Sequence, residues 1–118
     1  MAIGHYELKK AKNGQYYFNL KASNGEIILT SEMYVSKASA KNGIASVQTH
    51  SPHEALFELK HSTSKQPYFV LKAKNHQVIG VSEMYNSESA ARNGRQSVIK
   101  NGSTSDVRDL SEPIHDSI

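Results

Sequence analysis

The chain contains no cysteine, and no apolar run in it approaches the ~20 residues needed to cross a bilayer. The first absence excludes disulfides and thiol chemistry, and the second points to a soluble chain. Its start, Met1-Ala2-Ile3-Gly4-His5, has neither the basic stretch nor the apolar segment of a secretory leader, so the expected location is the cytoplasm. Also missing are a Gly-rich phosphate loop, a nucleophile elbow and a His-Glu-x-x-His helix. The histidines at 5, 50, 53, 61, 76 and 115 are scattered, and only His50 and His53 lie close together. With no cysteine or dense carboxylate cluster to complete a ligand set, neither a metal site nor another cofactor is expected.

What is there is a duplication. Ser31-Glu32-Met33-Tyr34, Asn42-Gly43 and Ser46-Val47 return as Ser82-Glu83-Met84-Tyr85, Asn93-Gly94 and Ser97-Val98, always 51 residues later. The same offset pairs Glu7-Leu8-Lys9 with Glu58-Leu59-Lys60, Tyr17-Phe18 with Tyr68-Phe69, and Leu20-Lys21-Ala22 with Leu71-Lys72-Ala73. About half of the aligned positions are identical without a gap, which marks two copies of one unit. At 118 residues, 37% of them hydrophobic, the chain can bury one core and not two independent ones. A single domain over residues 1–110 is therefore expected, made of repeats 4–52 and 55–103 and a terminal strand at 105–110, with a flexible acidic tail at 111–118.

Within each copy, Tyr6–Lys9 and Tyr16–Ala22 alternate with period 2 and read as half-buried strands joined across Lys12-Asn13-Gly14. Asn24-Gly25 turns the chain into a third strand, 26–30; Asn75-His76 does so in the second copy, since Asn and His tolerate positive φ. Ser36 and Ser87 then stand as N-caps before alanine-rich runs of period near 3.6. The inward stripes of these helices are Ala40, Gly43, Ile44 and Val47, and Ala91, Gly94 and Val98. Paired mid-helix glycines on an apolar face suggest close approach to the sheet; the rival reading is that each Asn-Gly ends a short helix. Arg95, standing where the first copy has Ile44, is expected at the edge of the stripe with its stem on apolar surface.

The pattern Phe-x-Leu-Lys-Ala-x-Asn, Ser-Glu-x-Tyr, Asn-Gly-x-x-Ser-Val, here Phe18 to Asn24, Ser31 to Tyr34 and Asn42 to Val47, resembles the YegP family across roughly residues 4 to 110. The resemblance implies an α+β, two-layer sandwich: tandem β-β-β-α-β repeats forming one antiparallel sheet of about seven strands with two helices on one face, and terminal strands exchanged between units. It also implies that single-copy relatives pair as dimers, whereas a two-copy chain does the same job as a monomer. His76 and Arg95 depart from the family pattern. No catalytic residues come with the resemblance.

Charge is uneven along the chain, +3 in residues 1–52, +3 in 53–103 and −3 in 104–118. A basic body draws anionic partners; it also simply keeps a surface soluble. Alternation puts Tyr6, Leu8, Phe18 and Leu20, with Phe57, Leu59, Phe69 and Leu71, beneath the helices. The opposite face then shows Glu7, Lys9, Tyr17, Asn19 and Lys21, with Glu58, Lys60, Tyr68, Val70 and Lys72, and nothing is left to cover it. Tyr17, Lys21, Tyr68 and Lys72 are the binding candidates there, since tyrosine beside lysine suits stacked bases and phosphates of single-stranded nucleic acid. A protein partner at a strand edge is the alternative. An enzyme using Glu32 and Glu83 as a carboxylate pair is the weakest reading, because a carboxylate near a helix start is stabilised there without catalysis. Ser31, Glu32, Tyr34, Asn42 and Gly43, with Ser82, Glu83, Tyr85, Asn93 and Gly94, read as structural.

Overall fold

The computed structural model describes residues 3–111. Three strands come first: β1 (His5–Lys10), β2 (Tyr16–Lys21) and β3 (Ile27–Thr30). Helix α1 (Lys37–His50) and a single 3-10 turn (Glu54–Leu56) lead into β4 (Phe57–His61), β5 (Pro67–Lys72) and β6 (Val78–Val81). Helix α2 (Glu88–Asn101) and a short β7 (Val107–Asp109) complete the order. The strands form one sheet, β4-β5-β6-β3-β2-β1-β7, so each repeat is a meander and the two meet through β3 and β6 at Thr30↔Val81. The proposed tail, 111–118, lies outside the described residues except for Ser111, whose amide and hydroxyl donate to Asp109.

The sequence dictates these elements locally. Gly14 and Gly25 hold φ of 86°, and the second copy uses Lys65 and His76, at φ 66° and 73°, in the matching turns. The Ser36 and Ser87 hydroxyls accept from the amides of Ser39 and Ala90, the bond an N-cap makes. Both helices run through their Asn-Gly pairs, so the reading in which Asn-Gly terminates the helix is wrong. A Cβ on Gly43 would come within 2.7 Å of the Tyr34 ring carbon bearing the hydroxyl and 3.0 Å of the Phe18 ring, and one on Gly94 would meet Tyr85 and Phe69 likewise. The close approach is thus to a tyrosine ring laid between helix and sheet.

One core joins both repeats. Tyr6, Leu8, Phe18, Leu20, Ala40, Ile44 and Val47 pack with Leu29, Phe69, Leu71 and Val98 in a single cluster. Tyr34 stacks on Phe18 and Tyr85 on Phe69, centroids 6.3 and 6.2 Å apart. At the C-terminal end of α2, the Tyr6 hydroxyl donates to the Gly102 carbonyl, and the Gly4 amide donates to Asn101 Oδ1.

Three expectations are corrected. The sheet is mixed, because β7 runs parallel to β1. The chain leaves α2 beside Gly4, where β1 begins, and so can only run along β1 in the same direction. Leu59, expected beneath a helix, is 36% exposed, while its counterpart Leu8 is fully buried. Asn19 and Val70, expected to be exposed, are each only 4% exposed on interior strands of the sheet. Asn19 satisfies its burial by donating from Nδ2 to Thr30 Oγ1 on the neighbouring strand. The guanidinium of Arg95 does reach outward, towards Glu54 at 3.8 Å, although its Nε is buried without a hydrogen bond among the described residues.

Candidate functional site

The helix-free face of the sheet carries one continuous cross-strand row. Strand registers align Glu58, Val70, Val81, Thr30, Asn19, Glu7 and Arg108 from edge to edge. Tyr17 stands opposite Lys9, and Tyr68 opposite Lys60. All four sequence candidates therefore share this face, two per repeat, and all are half-buried. Two of them are not free cations. Lys21 Nζ lies 3.2 Å from Glu7, and Lys72 Nζ 2.6 Å from Glu58. Glu7 also takes His5 at 2.9 Å and Lys9 at 3.5 Å. Those contacts, the hydrogen bond from His5 first and then the lysines, outweigh burial and bring the Glu7 carboxyl down to about 2. The hydrogen bond from Lys72 lowers the Glu58 carboxyl in the same way.

The repeated Ser-Glu-Met-Tyr segment has a structural task. Ser31 Oγ accepts from the Phe18 amide and donates to the Glu32 carbonyl; Ser82 does the same between Phe69 and Glu83. The hydroxyl thereby splices the end of the third strand onto the second. Glu32 and Glu83 do not cap the helices, a role that belongs to Ser36 and Ser87. Burial first, then the nearby carboxylates, raises the hydroxyl pKa of Tyr34 and Tyr85, which keeps both phenols neutral. Asn42 and Asn93 are exposed on the outer surface of the helices, Asn93 and Gly94 lining a shallow cleft with Glu26 and Ile28 of the other repeat. Among the described residues no group of three His, Asp or Glu could hold a metal ion, and no helix is long and apolar enough to cross a membrane.

What the residue patterns missed is a difference between the two edges. β1 is covered: Tyr6 donates its amide to the Asp106 carbonyl, Leu110 donates to the Leu8 carbonyl, and Lys37 pairs with Asp109 at 3.0 Å. β4, the 51-residue counterpart of β1, ends the sheet with no strand beside it among the described residues. The signal was available in the sequence. Residues 5–10, 56–61 and 107–110 are three versions of one strand position, yet the chain has only two meanders for them to open.

Comparison with known proteins places these features. A family model described as a domain of unknown function (DUF1508) matches residues 11–58 and again 62–109. The UPF0339 protein YegP of Yersinia pestis is 73% identical over 110 residues, covering 93% of this chain and 98% of that protein. A UPF0339 protein of Photorhabdus laumondii is 62% identical over 112 residues, covering 95% and 98% of the respective chains. Among solved structures, the solution structure of yegP from E. coli, titled as a protein of unknown function, superposes with a TM-score of 0.90 at 46% identity and covers 97% of this chain and 98% of that one. With two copies of the family unit, close relatives along nearly the whole length and the same fold, the chain belongs to the UPF0339 (YegP) family.

Proposed function

We propose that this protein is a non-enzymatic binding module that takes an extended strand onto the open edge of β4. The observation that carries the reading is the contrast between equivalent strands: Leu8 is fully buried behind β7, whereas Leu59 is 36% exposed on an edge that has no strand beside it among the described residues. An uncovered edge offers main-chain donors and acceptors in the geometry that strand addition uses, and such an edge is otherwise an aggregation liability. In dilute solution the module is a monomer, since both repeats are present in one chain, and its composition fits work in the cytoplasm.

Nucleic acid on the helix-free face is the second reading, favoured by the Tyr–Lys cross-strand pair that occurs twice. It is weakened by Glu7 and Glu58, which occupy Lys21 and Lys72. One experiment separates the two. Displayed random peptides are selected on the parent and retested on Leu59→Pro, in which an outward-pointing amide is removed at an edge where proline is tolerated. In parallel the parent is titrated with single-stranded DNA, RNA and duplex at two salt concentrations. The edge reading expects selected peptides to lose binding to the variant, and no salt-dependent nucleic-acid binding. Peptides that bind Leu59→Pro as well as the parent would overturn it. Nucleic-acid binding that weakens with salt would replace it with the second reading.

A further inference from the structure

The backbone of β4 alternates in what it offers. Ser62 donates its amide to the Gln66 carbonyl across the hairpin, so the even-numbered residues Glu58 and Lys60 turn their amides and carbonyls to β5. Phe57, Leu59 and His61 turn theirs outward, as Tyr6 and Leu8 do towards β7. One outward amide is already used, because Phe57 donates to the Glu54 carbonyl in the 3-10 turn. At the equivalent place on β1, the Tyr6 amide makes the first bond to the parallel β7. A parallel strand therefore loses its first bond at β4. It also loses its ion pair, since Glu88 stands where Lys37 receives Asp109.

We propose that the strand taken up by β4 is β4 of a second copy of this chain, paired antiparallel about a twofold axis through Leu59. The proposal rests on the edge reading above and names its occupant. In this register Leu59 faces Leu59, exchanging both main-chain bonds, and each His61 amide donates to the Phe57 carbonyl of the other copy. The Phe57 amide stays in its turn, so each Phe57–His61 pair keeps one of its two bonds while the central Leu59 pair keeps both. Glu58 comes directly opposite Lys60 of the second copy, twice, at positions of the closer, non-hydrogen-bonded type on the helix-free face. The segment Phe-Glu-Leu-Lys-His is thus complementary to itself in charge when reversed. On the other face the half-exposed leucines cover one another. Glu58 keeps Lys72, at 2.6 Å, as its partner within the chain, so the added pair extends an existing one. Pairing β4 to β7 of another copy would be head-to-tail and would propagate, whereas pairing β4 to itself closes. A joint of five residues is small, so the dimer is weak and reversible and coexists with a monomer in dilute solution.

The test is sedimentation of the full chain from micromolar to millimolar concentration, for the parent, Glu58→Lys, Lys60→Glu and an equimolar mixture of the two variants. Circular dichroism melts show that each variant is folded. The parent is expected to shift reversibly to a dimer at the upper end. Each variant alone sets like charges opposite one another and is expected to associate about tenfold more weakly or less; the mixture sets opposite charges together again and is expected to recover the dimer. A parent that stays monomeric throughout, variants that dimerise as the parent does, or a mixture that fails to recover would each overturn the proposal. If it falls while selected peptides still depend on Leu59, the edge reading stands with a foreign strand as the occupant. If the peptide selection fails as well, both readings fall.

Discussion

Gly43 and Tyr34 illustrate how a single residue holds its place in this fold. In a helix interior, alanine is preferred to glycine by about 1 kcal/mol, yet a Cβ at Gly43 would press on the hydroxyl end of a ring already stacked on Phe18. Overpacking is expected to outweigh propensity, with Gly43→Ala lowering stability by about 1–2 kcal/mol in urea denaturation. In a Tyr34→Phe background the same change should cost measurably less, and additive effects would show that the contact is not the cause. Glu7 makes a second residue-level statement. Its folded pKa, about 2, lies below the ~4.3 of an unfolded glutamate, so its contribution is fully present above the unfolded value and is lost as pH falls through 2. Glu7→Gln should therefore unfold at lower urea than the parent at neutral pH, with the gap shrinking between about pH 4 and pH 2; a gap unchanged down to pH 2 would refute this assignment. The glycine's burial was legible from its place on the apolar stripe. The Lys21–Glu7 and Lys72–Glu58 pairs were not singled out, because reading alternation along one strand does not reveal which charges meet across two.

Among the elements, β1 and β4 are nearly the same sequence in different surroundings. Leu8 has β7 beside it and a helix over it, while Leu59 has no flanking strand among the described residues. Leu8→Ala should cost about 2–5 kcal/mol, as for a fully buried leucine, and Leu59→Ala clearly less, about 1 kcal/mol for a side chain partly in water. Equal losses in equilibrium unfolding would mean that β4 is covered in solution. The Asn-Gly turns, the helix caps and the strands were legible because each depends on a few adjacent residues: Asn-Gly pairs, serines ahead of alanine-rich runs, and alternating side chains. The turn at Lys65, which the second copy makes as the first does at Gly14, was not, because lysine carries no signal for positive φ. The direction of β7 was not, since it is set by where α2 ends relative to Gly4, a contact across 97 residues of chain.

At the scale of the whole molecule, the fixed offset of 51 residues carried most of the architecture, because a duplicated unit with one apolar face must bury that face against its twin. The same periodicity hid the asymmetry of the edges, since it aligns β1 with β4 and says nothing of what flanks either. The seam between the halves has a mechanical meaning. Among the described residues only Thr30 and Val81 register across it, yet α1 rests on β5 and β6 as well as on β1 and β2, and α2 on β2 and β3 as well as on β5. Each helix lies as a cross-brace over the joint in a body 51 Å long and 27 Å thick. The sheet alone would fold along that line like a sheet of paper along a crease; with a strut laid over it from each side, the two halves can neither hinge nor part unless both helices lift together.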